Sequence, residues 1–349
     1  MKSILITGGA GFIGVNAAQH FHRQGWAVTI LDNLSRRGAQ DNLDWLRRQQ
    51  QVRFERADIR DCDAIERLVG ELRPDAVLHL AAQVAVTTSV SNPREDFEIN
   101  ALGTLNMLEA VRLKSPESFF IYASTNKVYG KMEDVDIVER DGRYEYRDLP
   151  NGVNEDRPLD FHSPYGCSNG AADQYTIDYS RIYAIRSVTF RQSCIYGTRQ
   201  FGIEDQGWVA WFTIAAILGK LITIYGDGKQ VRDVLHVHDL ARAYEAAFEH
   251  RDAVSGQAIN IGGGPGNTLS LLELIHLLEE ELKISVPLQF SHLRPGDQPV
   301  FVCGLGKAQG LLGWRPTIPV REGVRQLICW VRDNRKLFDW LREASLVGA

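Results

Sequence analysis

The sequence predicts an α/β fold in which a doubly wound parallel sheet is followed by a smaller C-terminal α/β lobe. Short β-branched runs alternate with longer amphipathic stretches through the first half, the pattern of a parallel sheet covered by helices on both faces. After about Gln192 the rhythm changes to helices separated by loops rich in Gly, Arg and aromatics. The 349 residues, 44% hydrophobic and 24% charged, suffice for one large unit or two lobes without a disulfide or metal staple.

Strands are expected at 3–7, 27–31, 52–56, 76–79, 119–123 and 187–191, with helical periodicity at 12–23, 63–72, 94–113 and 165–182. Parallel strands need such crossovers, and right-handed connections bring the loops after each strand to one sheet edge, where a ligand sits. Further helices are expected near 208–218, 237–249, 269–282 and 321–334. The division is therefore 1–192 for a dinucleotide-binding domain and 193–349 for a substrate lobe, with chain crossings back to the first domain. The polar stretch 131–160 has no sustained period and reads as a long surface loop beside the sheet edge.

Charge and cysteine usage exclude other classes. The 39 Lys+Arg against 44 Asp+Glu give a net charge of −5, which argues against a nucleic-acid or anionic-membrane surface. Cys62, Cys167, Cys194, Cys303 and Cys329 form no CxxC pair and read as reduced thiols of a cytoplasmic protein. The apolar run after Ser3 is too short for a signal peptide or membrane span. His236 and His238 have no third ligand near them in sequence, so helix capping or packing is expected and no metal site. Trp208, Trp211 and Phe212 read as core.

Gly8, Gly11 and Gly14 follow the first strand and open the first helix. The first allows a tight turn, the second a close approach of backbone N–H groups to a pyrophosphate, and the third close helix packing. Gly11, Phe12 and Ile13 then stand at the helix N-terminus. Asp32 ends the second strand, 18 residues after Gly14, placed to bond a ribose diol and repel a 2′-phosphate. This Rossmann-type pattern favours NAD, while Arg36 and Arg37 leave NADP open. Asp58 and Ile59, after the third strand, are placed for the adenine; Asp58 could equally be a helix cap.

The glycine spacing, with His79-Leu80-Ala81-Ala82, Ser124-Thr125…Val128-Tyr129-Gly130, Tyr165, Gly226-Asp227-Gly228, Arg232-Asp233-Val234 and Asn260-Ile261-Gly262-Gly263, resembles the extended short-chain dehydrogenase/reductases over nearly the whole chain. Residues 83–89, 123–130 and 196–208 narrow the resemblance to nucleotide-sugar epimerases that invert C2 of a CDP-linked deoxyhexose. The resemblance implies a tightly held NAD contacted by Asn33, Leu80, Ala81, Gln83, Asn100, Ser124, Tyr165, Asn169, Ser193 and Ile195 as well as by the glycine loop, Asp32, Asp58 and Ile59. It implies Tyr165 as proton acceptor and Thr125 as its orienting partner. Sugar and nucleotide contacts are expected from Gln83, Ser124, Thr125, Asn126, Cys194, Arg199, Gln206, Arg232 and Arg294. Cys194 is equally readable as an inert buried thiol, and each arginine could instead hold a surface carboxylate. The helices at 94–113 and 165–182 are expected to form a homodimer or homotetramer contact, although burial within one subunit gives the same pattern. Two alternatives stay open: a 4-epimerase or 4,6-dehydratase on another nucleotide sugar, and a catalytically silent NAD and nucleotide-sugar binder. The dehydratase reading is disfavoured, since this chain has Asn126-Lys127 where the dehydratase relatives carry an acidic pair.

One position departs from the family pattern. Four residues after its tyrosine the family carries lysine; here Tyr165 is followed by Asn169. A lysine one helical turn away lowers a tyrosine pKa of ~10 by roughly 1–3 units, whereas asparagine bonds a ribose hydroxyl without charge. Slower turnover is expected, with Lys127 as a candidate replacement cation.

Overall fold

The computed structural model describes residues 1–292 and 298–343. Seven parallel strands form the central sheet, in the order Gln257–Ile261, Ser187–Gln192, β5 (Phe119–Thr125), β4 (Ala76–His79), β1 (Ser3–Thr7), β2 (Ala27–Leu31) and β3 (Arg53–Glu55). Strand order reverses between β1 and β4, so the crevice beyond their C-terminal ends is the position for a ligand. Register brings Thr7 opposite both Leu31 and His79, which aligns the loops after β1, β2 and β4 along one edge.

Both sheet faces are apolar. Helices Phe12–Arg23 (α1) and Val237–Glu249 pack on one face around Ile4, Ile6, Phe21 and Tyr244. Helices Cys62–Leu72, Gly103–Lys114 and Ser163–Tyr183 cover the other, around Leu5, Val77, Phe120 and Tyr179. A second core joins helices Trp208–Leu218, Leu271–Leu282 and Val320–Asp333, and includes Phe212, Leu278 and Leu327. Against it lie a mixed sheet of Cys194–Tyr196, Val231–His236, Thr268–Ser270 and Val300–Phe301, and a parallel pair, Ile222–Tyr225 with Leu288–Ser291.

Four features differ from the sequence expectation. A strand outside the six expected completes the central sheet: Gln257–Ile261 pairs with Ser187–Gln192, so Asn260 and Ile261 belong to that sheet. Helix Ala39–Gln49, with an apolar face of Ala39, Leu43 and Leu46, was not expected. The helix expected at 94–113 is Pro93–Phe97, then a wider turn at Glu98–Leu102, then Gly103–Lys114. In that turn Asn100 exchanges hydrogen bonds with the Gln83 backbone, accepting from its N (2.8 Å) and donating to its O (3.0 Å).

The fourth is in 131–160, which carries a hairpin, Ile137–Arg140 with Arg143–Tyr146. Its two turn residues, Asp141 and Gly142, both have positive φ, 51° and 79°, the two-residue turn that Asp-Gly favours. The hairpin docks on the second lobe: the Tyr146 hydroxyl donates to Val300 O (3.0 Å) and Arg143 to Glu273 (2.9 Å).

Candidate dinucleotide and sugar cleft

The end of β1 makes a tight turn because Gly8 adopts φ 65°. Gly11 N then donates to Gly8 O (3.0 Å). A Cβ on Gly14 would lie 2.2 Å from Gly8 O, so only glycine lets α1 start this close to the strand. The first residues of α1, with their unpaired N–H groups, face a cleft of about 430 Å³ that runs along the sheet edge, a position suited to phosphate oxygens.

Asp32 stands at the end of β2. Its carboxylate accepts from Ala10 N (3.0 Å) and Leu34 N (2.8 Å), which ties it to the glycine turn while leaving acceptor capacity toward the cleft it lines. Burial pushes its pKa up, and the backbone N–H groups of Leu34 and Ala10 oppose that. Asn33 Nδ2 donates to Asp58 Oδ2 (2.9 Å), and the Arg60 fork holds Asp58 well below the usual carboxylate range. Ile59 is buried against Gly103, where a Cβ would lie 2.5 Å from Ile59 Cδ1.

Beneath this end Thr7 Oγ1 accepts from Leu80 N and Ala81 N, both at 3.1 Å. It therefore donates to His79 Nδ1 (2.7 Å), and His79 Nε2–H donates to Thr104 Oγ1 (3.1 Å). Burial holds His79 down at about 3, so the neutral ring fixes the floor of the cleft.

At the other end β5 delivers Ser124 and Thr125, and helix Ser163–Tyr183 delivers Tyr165 and Asn169. Burial pushes the Tyr165 hydroxyl above the ordinary tyrosine value; a hydrogen bond with Thr125 opposes this, and the charge of Asp96 adds to it. Asn169, 2% exposed, accepts from the Tyr122 hydroxyl (3.0 Å) and donates through Nδ2 to Tyr165 O (2.9 Å). Burial pushes the Cys194 thiol up, and the charges of Arg232 and, more weakly, Lys127 oppose that. Ser124 Oγ donates to Asp173 Oδ2 (2.9 Å), and Arg191 binds the same carboxylate through Nε and Nη2, both at 3.0 Å.

The cleft brings together Gly8, Gly11, Phe12, Ile13, Gly14, Asp32, Asn33, Asp58, Ile59, Leu80, Ala81, Ser124, Thr125, Tyr165, Asn169, Ser193, Cys194, Ile195, Arg199 and Gln206. Gln83 and Asn100 instead bond inward: Gln83 Nε2 donates to Asp96 Oδ1 (2.7 Å) and its Oε1 accepts from Ala85 N (2.6 Å). Arg199 stacks over Trp45, 4.2 Å from the ring centroid, and Gln206 accepts from Arg36. Both are thereby drawn toward the Asp32 end. Arg37 stacks on Trp340 at 4.0 Å.

Arg232 donates to the carbonyls of Val231 (2.9 Å) and Gln298 (2.6 Å); neither it nor Asn126, whose Oδ1 lies 3.4 Å from Thr125 Oγ1, lines the cleft. Arg294 lies outside the described residues. Trp208 lines the cleft as well as packing on the second core. His236 caps helix Val237–Glu249, its Nδ1 accepting from His238 N (3.3 Å). Sequence reasoning missed Asp96, Tyr122 and Asp173, whose burial depends on helix packing that no local pattern encodes.

A family model described as GDP-mannose 4,6 dehydratase matches residues 5–327. The CDP-paratose 2-epimerase of Salmonella typhi is 47% identical over 332 residues, covering 94% of this chain and 98% of that protein. The UDP-glucose 4-epimerase of Thermus thermophilus, solved in complex with NAD, superposes with a TM-score of 0.80 at 32% identity, covering 95% of this chain and 99% of that one. The UDP-glucuronic acid 4-epimerase of Bacillus cereus, solved with UDP-glucuronic acid and NAD, gives 0.81 at 28% identity, with the same coverage. The glycine turn, the carboxylate ending β2 and the Thr125–Tyr165 pair thus sit in a chain that belongs to the GDP-mannose 4,6-dehydratase family of extended short-chain dehydrogenase/reductases.

Proposed function

We propose that this protein is an NAD-dependent epimerase that inverts C2 of a CDP-linked deoxyhexose through a transient 2-keto sugar. The observation that carries the reading is the 47% identity, over nearly both full lengths, to a CDP-paratose 2-epimerase. The cleft fits a dinucleotide: the Gly14 cradle admits no Cβ, α1 points its N-terminus into it, and Asp32 keeps acceptor capacity toward it. In this reading Gly11, Phe12 and Ile13 hold the pyrophosphate, Asp32 and Asn33 a ribose, Asp58 and Ile59 the adenine, and Ser193 and Ile195 the far wall. When bound, NAD supplies a reversible hydride sink beside the sugar carbon.

The chain's own groups handle the proton. Tyr165 takes it from the C2 hydroxyl and later returns it, Thr125 orients that hydroxyl, and Asn169 offers the cofactor ribose an N–H without charge. Asn126 and Lys127 give the site no acid with which to expel water, which separates it from the dehydratases of its family. Ser124, Thr125 and Cys194, which line the cleft at its Tyr165 end, are the proposed contacts to the sugar nucleotide. Residues 1–192 carry mainly the cofactor and 193–349 mainly the nucleotide sugar. Exposed Phe97, Leu102, Leu113, Tyr175 and Ile182 on the two helical segments support a homodimer or homotetramer, and thiols outside any disulfide a cytoplasmic location. Among the described residues no helix is long and apolar enough to cross a membrane.

A site that bonds a substrate group rejects analogues lacking it, so a panel of CDP-, UDP-, GDP- and dTDP-linked deoxyhexoses tests the assignment. Preference for CDP with inversion at C2 is expected; inversion at C4 of a UDP-sugar overturns it. Asn169, standing four residues after Tyr165 where the family carries lysine, favours one other reading, a silent binder of the same ligands, which the panel reveals as binding without turnover.

A further inference from the structure

At the Asp32 end of the cleft, Phe201, Gly202 and Gln206 come from the segment between strand Cys194–Tyr196 and helix Trp208–Leu218. Asn33, Arg36 and Ala39, from the segment after β2, line the same end. The start of the later segment is fixed by buried groups. Asn16 Nδ2 of α1 donates to Thr198 O (2.9 Å), and Asn42 Nδ2 donates to both Ala10 O (3.2 Å) and Arg199 O (3.3 Å). Asn42 thereby ties Arg199 to the glycine turn, while the buried Arg199 side chain stacks on Trp45 of helix Ala39–Gln49.

Farther along, the Phe201 ring lies against the backbone of Gly38, where a Cβ would fall 2.2 Å from Phe201 Cδ2. The same ring packs on Trp330 and Phe338 of the second core, with centroids 6.0 and 5.6 Å away. The chain then turns back: Ile203 N donates to Gln206 O (3.0 Å) and Gln206 N to Ile203 O (2.9 Å). From this turn the Gln206 side chain accepts from Arg36, and Gly207, at φ 73°, ends the segment. Glycine rotates there without the strain another residue would meet. The segment thus has an anchored start, a tip that bears on the loop after β2 through Phe201 and Gln206, and a joint at its end.

We infer that residues 200–207 form a strap that retains the cofactor, closing the Asp32 end of the cleft and admitting or releasing NAD only when it lifts from Gly38 and Arg36. Burial of the Phe201 ring favours the closed arrangement, and exchange in either direction scales with the fraction of time the strap is open. The inference rests on the NAD part of the proposed reading and is independent of which sugar carbon is inverted.

The test is cofactor exchange in the purified full chain, loaded with tritium-labelled NAD and chased with unlabelled NAD. Phe201→Ala is expected to speed release about tenfold while the half-saturating NAD concentration, read after full equilibration, moves less than about threefold. Phe201→Leu, which keeps an apolar side chain on Gly38, is expected to release NAD within about threefold of the parent rate. If Phe201→Ala does not fold, Gln206→Ala, which removes the contact with Arg36, is expected to speed release in the same way. Unchanged release in a folded variant overturns the strap, and so does faster release matched by an equal loss of affinity, which makes the side chain a ligand contact only. A protein that exchanges NAD as expected yet inverts no sugar refutes the proposed activity alone, whereas one that holds no NAD refutes the cofactor reading and the strap together.

Discussion

Restoring a cation at position 169 changes one charge at one turn's distance from Tyr165. In Asn169→Lys, an ammonium about 5 Å from the phenol oxygen, at an effective dielectric of ~20, favours the phenolate by roughly 3 kcal/mol, about two pKa units. The Tyr122 hydroxyl loses the carbonyl it now donates to at 3.0 Å but gains an N–H donor, so the local cost is about 1 kcal/mol. The sign follows from the role: a proton acceptor works in its deprotonated form, and burial with Asp96 has pushed Tyr165 upward. Lowering that value moves the rising limb of the pH profile toward acid. Turnover of CDP-paratose, followed by proton NMR at pH 7, is expected to rise about ten- to a hundredfold, with the gain vanishing as pH rises through the parent's own raised Tyr165 value. A folded, cofactor-loaded Asn169→Lys whose turnover and pH profile match the parent refutes the reasoning.

Three further outcomes are expected. Gly14→Ala forces a Cβ to 2.2 Å from Gly8 O, so the protein should purify with at least tenfold less NAD, measured by acid release, while its far-ultraviolet circular dichroism stays unchanged; full loading contradicts the cradle. His79 is held down at about 3 from its ordinary 6.5: the unfolded chain binds the extra proton first, and stability is lost as pH falls from about 6.5 toward 3, by about 3 kcal/mol at pH 4. In urea titrations at pH 7 and pH 4, His79→Gln should remove that difference, and an unchanged difference assigns it to other groups. Asp173→Ala leaves Arg191 buried without its partner and should cost about 3–5 kcal/mol, read as a large fall in Tm; a fall of only a degree or two contradicts it.

The parts legible in the sequence are those encoded locally. Glycines spaced three apart between a strand and a helix, and an acidic residue ending the next strand, have one good physical explanation, and the sheet puts them in one cleft. The Asp141-Gly142 turn was equally local, but the charged alternation around it masked the hairpin. What the sequence hid depends on packing between distant segments. Gln257–Ile261 joins the central sheet only through its pairing with the distant Ser187–Gln192, and Gln83 turns away from the cleft only because Asp96 and Asn100 are buried beside it. The loss of charge at Asn169 was readable; the buried Asp96 that accepts from Ser168 in the Tyr165 turn was not, since it sits in an unremarkable Pro-Arg-Glu-Asp run.

The most direct test of the central claim is incubation of the purified protein with CDP-paratose in D₂O, with no NAD added, followed by proton NMR. The account predicts inversion at C2 with protium retained there, as a tightly held NAD that returns the same hydrogen would give. Deuterium at C2, inversion at another carbon, or dependence on added NAD would contradict it.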